Sequence, residues 1–154
     1  MKANALIVTL TATALTLMAS CAFADAAADI ACFTSDTPKP IRLEMRTYYD
    51  RDIKFSFASI KYAKAKTAIP AVLQSDAAQS RGGGQADEVT TTWLEVVGNA
   101  VRGSYRMVHQ GANVDSMTYT NFRTNKTVLF LLDPHVDSTL EKGCAWVPSH
   151  DEAP

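Results

Sequence analysis

From Val89 to Asp133 apolar and polar residues alternate with a period of two, and Gly and Asn break the alternation at regular intervals. That pattern predicts four antiparallel strands joined by short turns. Thr90–Val97 is a β-rich run, TTTWLEVV, and Gly98-Asn99 suits the two central positions of a tight hairpin turn. Val101, Gly103, Tyr105 and Met107 then alternate with Arg102, Ser104 and Arg106, and a second turn is expected within His109–Asn113. Val114–Phe122 makes the third strand, with Met117 and Tyr119 toward the core, and Thr124-Asn125-Lys126 turns the chain again. Val128–Leu132 is apolar at every position, which predicts a central strand or one covered by another element, and Asp133-Pro134 ends it.

The same period appears upstream. Ile41, Leu43 and Met45 alternate with Arg42, Glu44 and Arg46, Asp50-Arg51-Asp52 reads as a turn, and Ile53, Phe55 and Phe57 follow as inward positions of a hairpin partner. The apolar phase then moves to Ile60 and Tyr62, which predicts a bulge near Ala58-Ser59, because a slip of one residue exchanges the faces. Lys61, Lys64 and Lys66 read as charges guarding an edge strand. Thr67–Glu88 breaks the alternation: Pro70–Gln79 predicts a short helix with proline at its first position, and Ser80–Gln85, SRGGGQ, a flexible loop. As the longest irregular stretch, it is the first candidate for a recognition element. The fold class expected is all-β, a small antiparallel β-barrel or sandwich of about 6–8 strands with one long loop or short helix inserted. Ile41–Tyr62 is expected to pair with or pack on the last apolar strand and so close it.

Residues 1–24 carry one cation, Lys2, then an apolar run over Ala5–Met18, and end in Ala22-Phe23-Ala24, the form of a secretory leader. Cleavage there leaves a mature chain of about 130 residues, one domain on the usual size range. Its expected parts are a tether over residues 25–40, a β-domain over 41–148 ending in a short strand within Leu140–Pro148, and a disordered tail over 149–154. Leu17–Cys21 also looks like a lipobox, so a lipid anchor on Cys21 and an outer-membrane location are the alternative to a periplasmic or secreted protein. Cys32 and Cys144, near the two ends of the mature domain, form an even pair that an oxidising compartment turns into a disulfide.

Hydrophobic residues make up 47% of the chain and charged ones 20%, a globular composition. Removing Lys2 with the leader changes the balance from 15 cations and 16 anions to 14 and 16, a net charge of −2, too small to steer the protein to nucleic acid. No membrane span is expected in the mature chain, nor any cofactor or metal. His109, His135 and His150 lack the spacing of paired ligands, and the Asp133–Asp137 cluster around His135 would need ligands from elsewhere. Ser104 lacks the setting of a nucleophile elbow, and Gly82-Gly83-Gly84 lacks the following Lys-Ser/Thr of a phosphate loop. Asp50 with Asp52, and Asp87 with Glu88, read as solvated turn residues. An enzyme is therefore not expected.

Tyr48 and Tyr49 are consecutive, so a regular strand must turn one of them outward, where it can anchor an interface. An exported β-rich domain closed by one long disulfide, Cys32 to Cys144, broadly looks like the small periplasmic inhibitors of lysozyme and the immunity proteins against cell-wall hydrolases. The resemblance is one of fold and compartment, without a binding motif matched residue by residue. Export, a rigid antiparallel scaffold and the absence of a catalytic constellation lead to the expectation of a non-enzymatic envelope protein that binds another protein of the envelope, an inhibitor or immunity factor against a periplasmic hydrolase, with contacts sought at Tyr48, at Arg81, Gly82, Gly83 and Gly84, and at His109 and Gln110. The alternative expectation is a small barrel that carries an apolar ligand or lipid.

Overall fold

Alternation places every second side chain on one face of a strand, and here those faces close on themselves. The computed structural model describes residues 26–111 and 113–146, and within them eight strands form a closed antiparallel barrel. The strands are β1 (Ala26–Ser35), β2 (Arg42–Asp50), β3 (Phe55–Tyr62), β4 (Ile69–Gln79), β5 (Glu88–Val97), β6 (Ala100–Gln110), β7 (Asn113–Asn121) and β8 (Lys126–Leu132). They follow one another in up-and-down order, and β8 pairs back onto β1. Phe33, Leu43, Met45, Ile60, Trp93, Tyr105, Met117 and Phe130 meet in a filled centre. Arg46, Lys61, Arg102 and Arg106 occupy alternate, outward positions, on a surface that also exposes Phe55, Phe57, Leu129 and Leu131. No helix among the described residues is long and apolar enough to cross a membrane.

Several strands differ from the expectation. The predicted tether over residues 25–40 is mostly β1, whose small residues Ala26–Ala31 pair along the end of β2. Pro70–Gln79 is not a helix: it is β4, held by a ladder to β5, and only residues 80–87 remain as the connecting loop. Phe55 and Phe57 point outward and are 49% and 41% exposed, while Ser56, Ala58, Ile60 and Tyr62 hold the inward phase without interruption. No bulge therefore falls at Ala58-Ser59; the register shifts lie at Leu73/Ser75, Glu95/Val96 and Val108/His109. Val128–Leu132 is apolar on both faces for a plainer reason than cover, since Leu129 and Leu131 stand on the exposed outer surface. Its closing partner is β1 rather than Ile41–Tyr62. Lys61 follows directly on the β3 residues that pair with both β2 and β4, and Lys64 and Lys66 lie in the loop to β4, so the three do not line a sheet edge.

The β1–β8 seam is short, with Phe33, Thr34 and Ser35 opposite Leu132, Leu131 and Phe130. The chain beyond β8 reinforces it. Strands β9 (Ser138–Thr139) and β10 (Gly143–Cys144) form a two-stranded sheet, and the Cys32–Cys144 disulfide binds this tail to the outer face of β1. Under the tail, Glu44 is nearly buried and its charge is matched. Arg46 donates through Nε and Nη2 to Oε1 at 3.1 and 3.0 Å, and the Cys144 amide donates to Oε2 at 3.0 Å. Arg46 also donates to the Leu140 carbonyl at 3.0 Å, which fixes the tail a second time.

Candidate functional site

The two ends of the barrel differ in how they are filled. At one end the inward phase of β3, β5, β6 and β7 brings three phenols and a carboxylate together. The Tyr62 and Tyr105 hydroxyls lie 3.0 Å apart, the Tyr105 and Tyr119 rings pack at 4.7 Å, and Tyr119 donates to Glu95 Oε2 at 2.6 Å. The Tyr119 ring crosses Gly103, the one inward position of β6 without a side chain. Burial pushes all three phenols above their ordinary ionisation range. For Tyr119, the burial effect is joined by the hydrogen bond and negative charge of Glu95, which carry it to about 12. These hydroxyls stay protonated at physiological pH and serve as donors that close the barrel base.

The other end is open. Pairing between β3 and β4 stops at Phe57–Val72, although β4 continues to Gln79. Below this opening lies a cavity of about 280 Å³, lined by residues of β1 through β6, among them Asp29, Thr47, Leu73, Asp76, Trp93 and Met107. Trp93, only 4% exposed, has an indole N–H without an acceptor among the described residues. Asp76 is oriented by the Thr91 hydroxyl, which donates to its Oδ1 at 2.9 Å.

Tyr48 is the outward member of its pair and stacks on Phe57 at 4.6 Å between ring centroids, with Phe55 continuing the row at 6.3 Å. Ile53, in the adjoining turn, is 70% exposed. The other sequence candidates gather at the same open end. Gly82, Gly83 and Gly84 all take positive φ in the β4–β5 loop, where Arg81 forms an ion pair with Glu88. Glu88 is paired with Gln110, whose side-chain amide donates to the Ala86 carbonyl at 2.8 Å, and His109 Nδ1 lies 3.2 Å from the Gly111 carbonyl. Loop and turn are thus tied to one another. Compared with protein-family models, curated proteins and solved structures, the chain matches none.

The polar groups considered for chemistry serve local structure. Asp50 Oδ1 accepts the amides of Asp52 and Ile53, and Asp133 accepts the Thr34 hydroxyl and the His135 amide. Ser104 stands on the outward phase of β6, opposite Leu94 and Thr120. Among the described residues no three His, Cys, Asp or Glu side chains form a group able to hold a metal ion. Cys21 and His150 lie outside the described residues, as do the leader and the tail over 149–154. Sequence reasoning missed Phe55 and Phe57 as surface aromatics, and Asp29, Asp76 and Trp93 as neighbours. No local signal marks the latter three, because strand pairing alone brings them together.

Proposed function

We propose that this is an exported, non-enzymatic binding protein that uses the open end of its barrel to recognise another envelope protein. The observation that carries the reading is the aromatic row Tyr48, Phe57 and Phe55, displayed outward beside the opening and extended by Ile53. Large aromatics set on rigid strands are the side chains that dominate interface energetics, since they bury much area at little entropic cost. The disulfide and the leader support an oxidising compartment. Within that reading, an inhibitor or immunity factor acting on a periplasmic hydrolase is the specific role that fits a small, stapled scaffold.

Carriage of a lipid is less well supported. The middle of the barrel is filled by Phe33, Leu43, Met45, Tyr105 and Phe130, leaving the mouth cavity of about 280 Å³. That is below the roughly 300–1,000 Å³ of drug-sized ligand pockets. The test compares wild type with a Phe55→Ser/Phe57→Ser variant. Wild type should recover one stoichiometric partner from periplasmic extract and inhibit a cell-wall hydrolase activity there, and the variant should lose both while melting unchanged. An identical partner set from the two proteins would refute the aromatic row as the interface.

A further inference from the structure

A strand in a closed barrel is normally paired on both sides, and β4 is not. Among the described residues, Leu73–Gln79 pairs only with β5, because the β3 ladder ends at Val72 and the register shift at Leu73/Ser75 follows at once. Along these seven residues, LQSDAAQ, the chain is solvent-exposed, and no Lys or Pro stands among them to prevent strand addition. The opening beside this edge leads directly into the mouth cavity: Ser56 of β3 lines one side, Leu73 and Asp76 of β4 the other. The cavity is acidic as well as apolar. Asp29 and Asp76 line it with Leu73, Trp93 and Met107, and no Lys or Arg does.

We propose that the free edge of β4 takes up an extended segment of the partner protein as an added strand, and that a Lys or Arg side chain of that segment enters the cavity. Backbone bonding to β4 supplies affinity, and the period of two directs alternate side chains inward. The aliphatic stem of the basic residue lies against Trp93, Leu73 and Met107, and its charge meets Asp29 and Asp76. The buried Trp93 N–H supplies a donor to a carbonyl of the entering segment. The neighbouring side chains point outward beside Phe57 and Val72, so the segment recognised reads apolar, basic, apolar. This inference rests on the protein-binding reading and names the chemistry of the partner.

The test uses the oxidised protein and a capped synthetic pentapeptide, Thr-Val-Lys-Val-Thr, titrated while amide and indole N–H resonances are recorded by NMR. Three controls accompany it: a peptide with norleucine for lysine, a peptide N-methylated along its backbone, and the Asp76→Asn protein, whose side chain still accepts the Thr91 hydroxyl. Expected are saturable shifts at the Leu73–Gln79 amides and the Trp93 indole. Binding should weaken at least tenfold with norleucine or Asp76→Asn and vanish on N-methylation. Equal binding of norleucine, or shifts at Ala26–Ala31 in place of β4, would overturn the proposal. So would equal occupancy by free butylamine, which marks a small-cation site rather than a strand site. Absent peptide shifts combined with partner loss in the Phe55→Ser/Phe57→Ser variant would remove this inference and leave the aromatic interface standing.

Discussion

Replacing Gly103 by Ala tests how tightly the barrel base is built. In an open strand the change should help, since Gly costs roughly 0.5–1 kcal/mol relative to Ala there. Here a Cβ would sit 2.6 Å from the Thr120 carbonyl oxygen and 2.7 and 2.8 Å from Cε2 and the hydroxyl of Tyr119. The carbonyl belongs to the β6–β7 ladder and cannot move alone, so the Tyr119 ring must. Overpacking of this kind costs about 1–3 kcal/mol. Displacing Tyr119 also removes its 2.6 Å bond to Glu95, whose side chain is nearly buried and would lose a partner worth about 1.5–3 kcal/mol. A loss of about 3–5 kcal/mol is therefore expected, a large share of the roughly 5–15 kcal/mol of a small domain. Urea unfolding followed by tryptophan fluorescence measures it. Repeating Gly103→Ala in a Tyr119→Ala background removes the ring, and the penalty should fall by more than 1 kcal/mol. A neutral or stabilising Gly103→Ala, or an equal penalty in both backgrounds, would refute the packing argument.

Two further outcomes follow from the same interior and its fastening. Tyr62, Tyr105 and Tyr119 have folded-state pKa values raised above the unfolded value of 10, so their contribution is complete below pH 10 and is lost as pH rises from 10 toward and beyond 12. Each phenol still protonated only in the fold removes up to about 1.4 kcal/mol per pH unit, and absorbance at the phenolate band should show Tyr62, Tyr105 and Tyr119 resisting ionisation above pH 10 until a cooperative release on unfolding. Ionisation of these three phenols near pH 10 with the fold intact would contradict this. Cys32→Ser/Cys144→Ser opens a loop with a sequence separation of 112 residues, which the chain-entropy model values at about 5 kcal/mol as an upper figure. A drop in thermal midpoint well above that of Glu44→Gln is expected by calorimetry, and equal midpoints for oxidised and Ser-substituted protein would contradict it.

Alternation made most of the barrel legible, and its failures have particular causes. Alternation and the tendency of aromatic residues toward the core point Phe55 and Phe57 inward, yet the smaller Ser56 and Ala58 face in, where Leu43, Met45 and Trp93 already fill the interior. β1 begins with four residues that carry no apolar period, and β4 contains Pro70, Asp76, Ala77 and Ala78, poor strand formers individually. Both are strands because neighbours with strong patterns pair with them, and pairing outweighs propensity. The mouth site was legible only in part. Tyr48, Arg81 and His109 could be named from turns and adjacent tyrosines, whereas the convergence of Asp29 with Asp76 depends on closure between distant strands.

The Cys32–Cys144 bond also determines how the protein answers to force. Tension applied at the two ends of the chain passes through the disulfide and by-passes everything between. Only the short flanks, Ala26–Ala31 and Ala145–Trp146 among the described residues, can be drawn out, while a contour of roughly 370–400 Å stays locked inside the barrel. An oxidised molecule held at both ends behaves as a stiff bead on a string; reduction turns the same molecule into an extensible strip that opens at the β1–β8 seam.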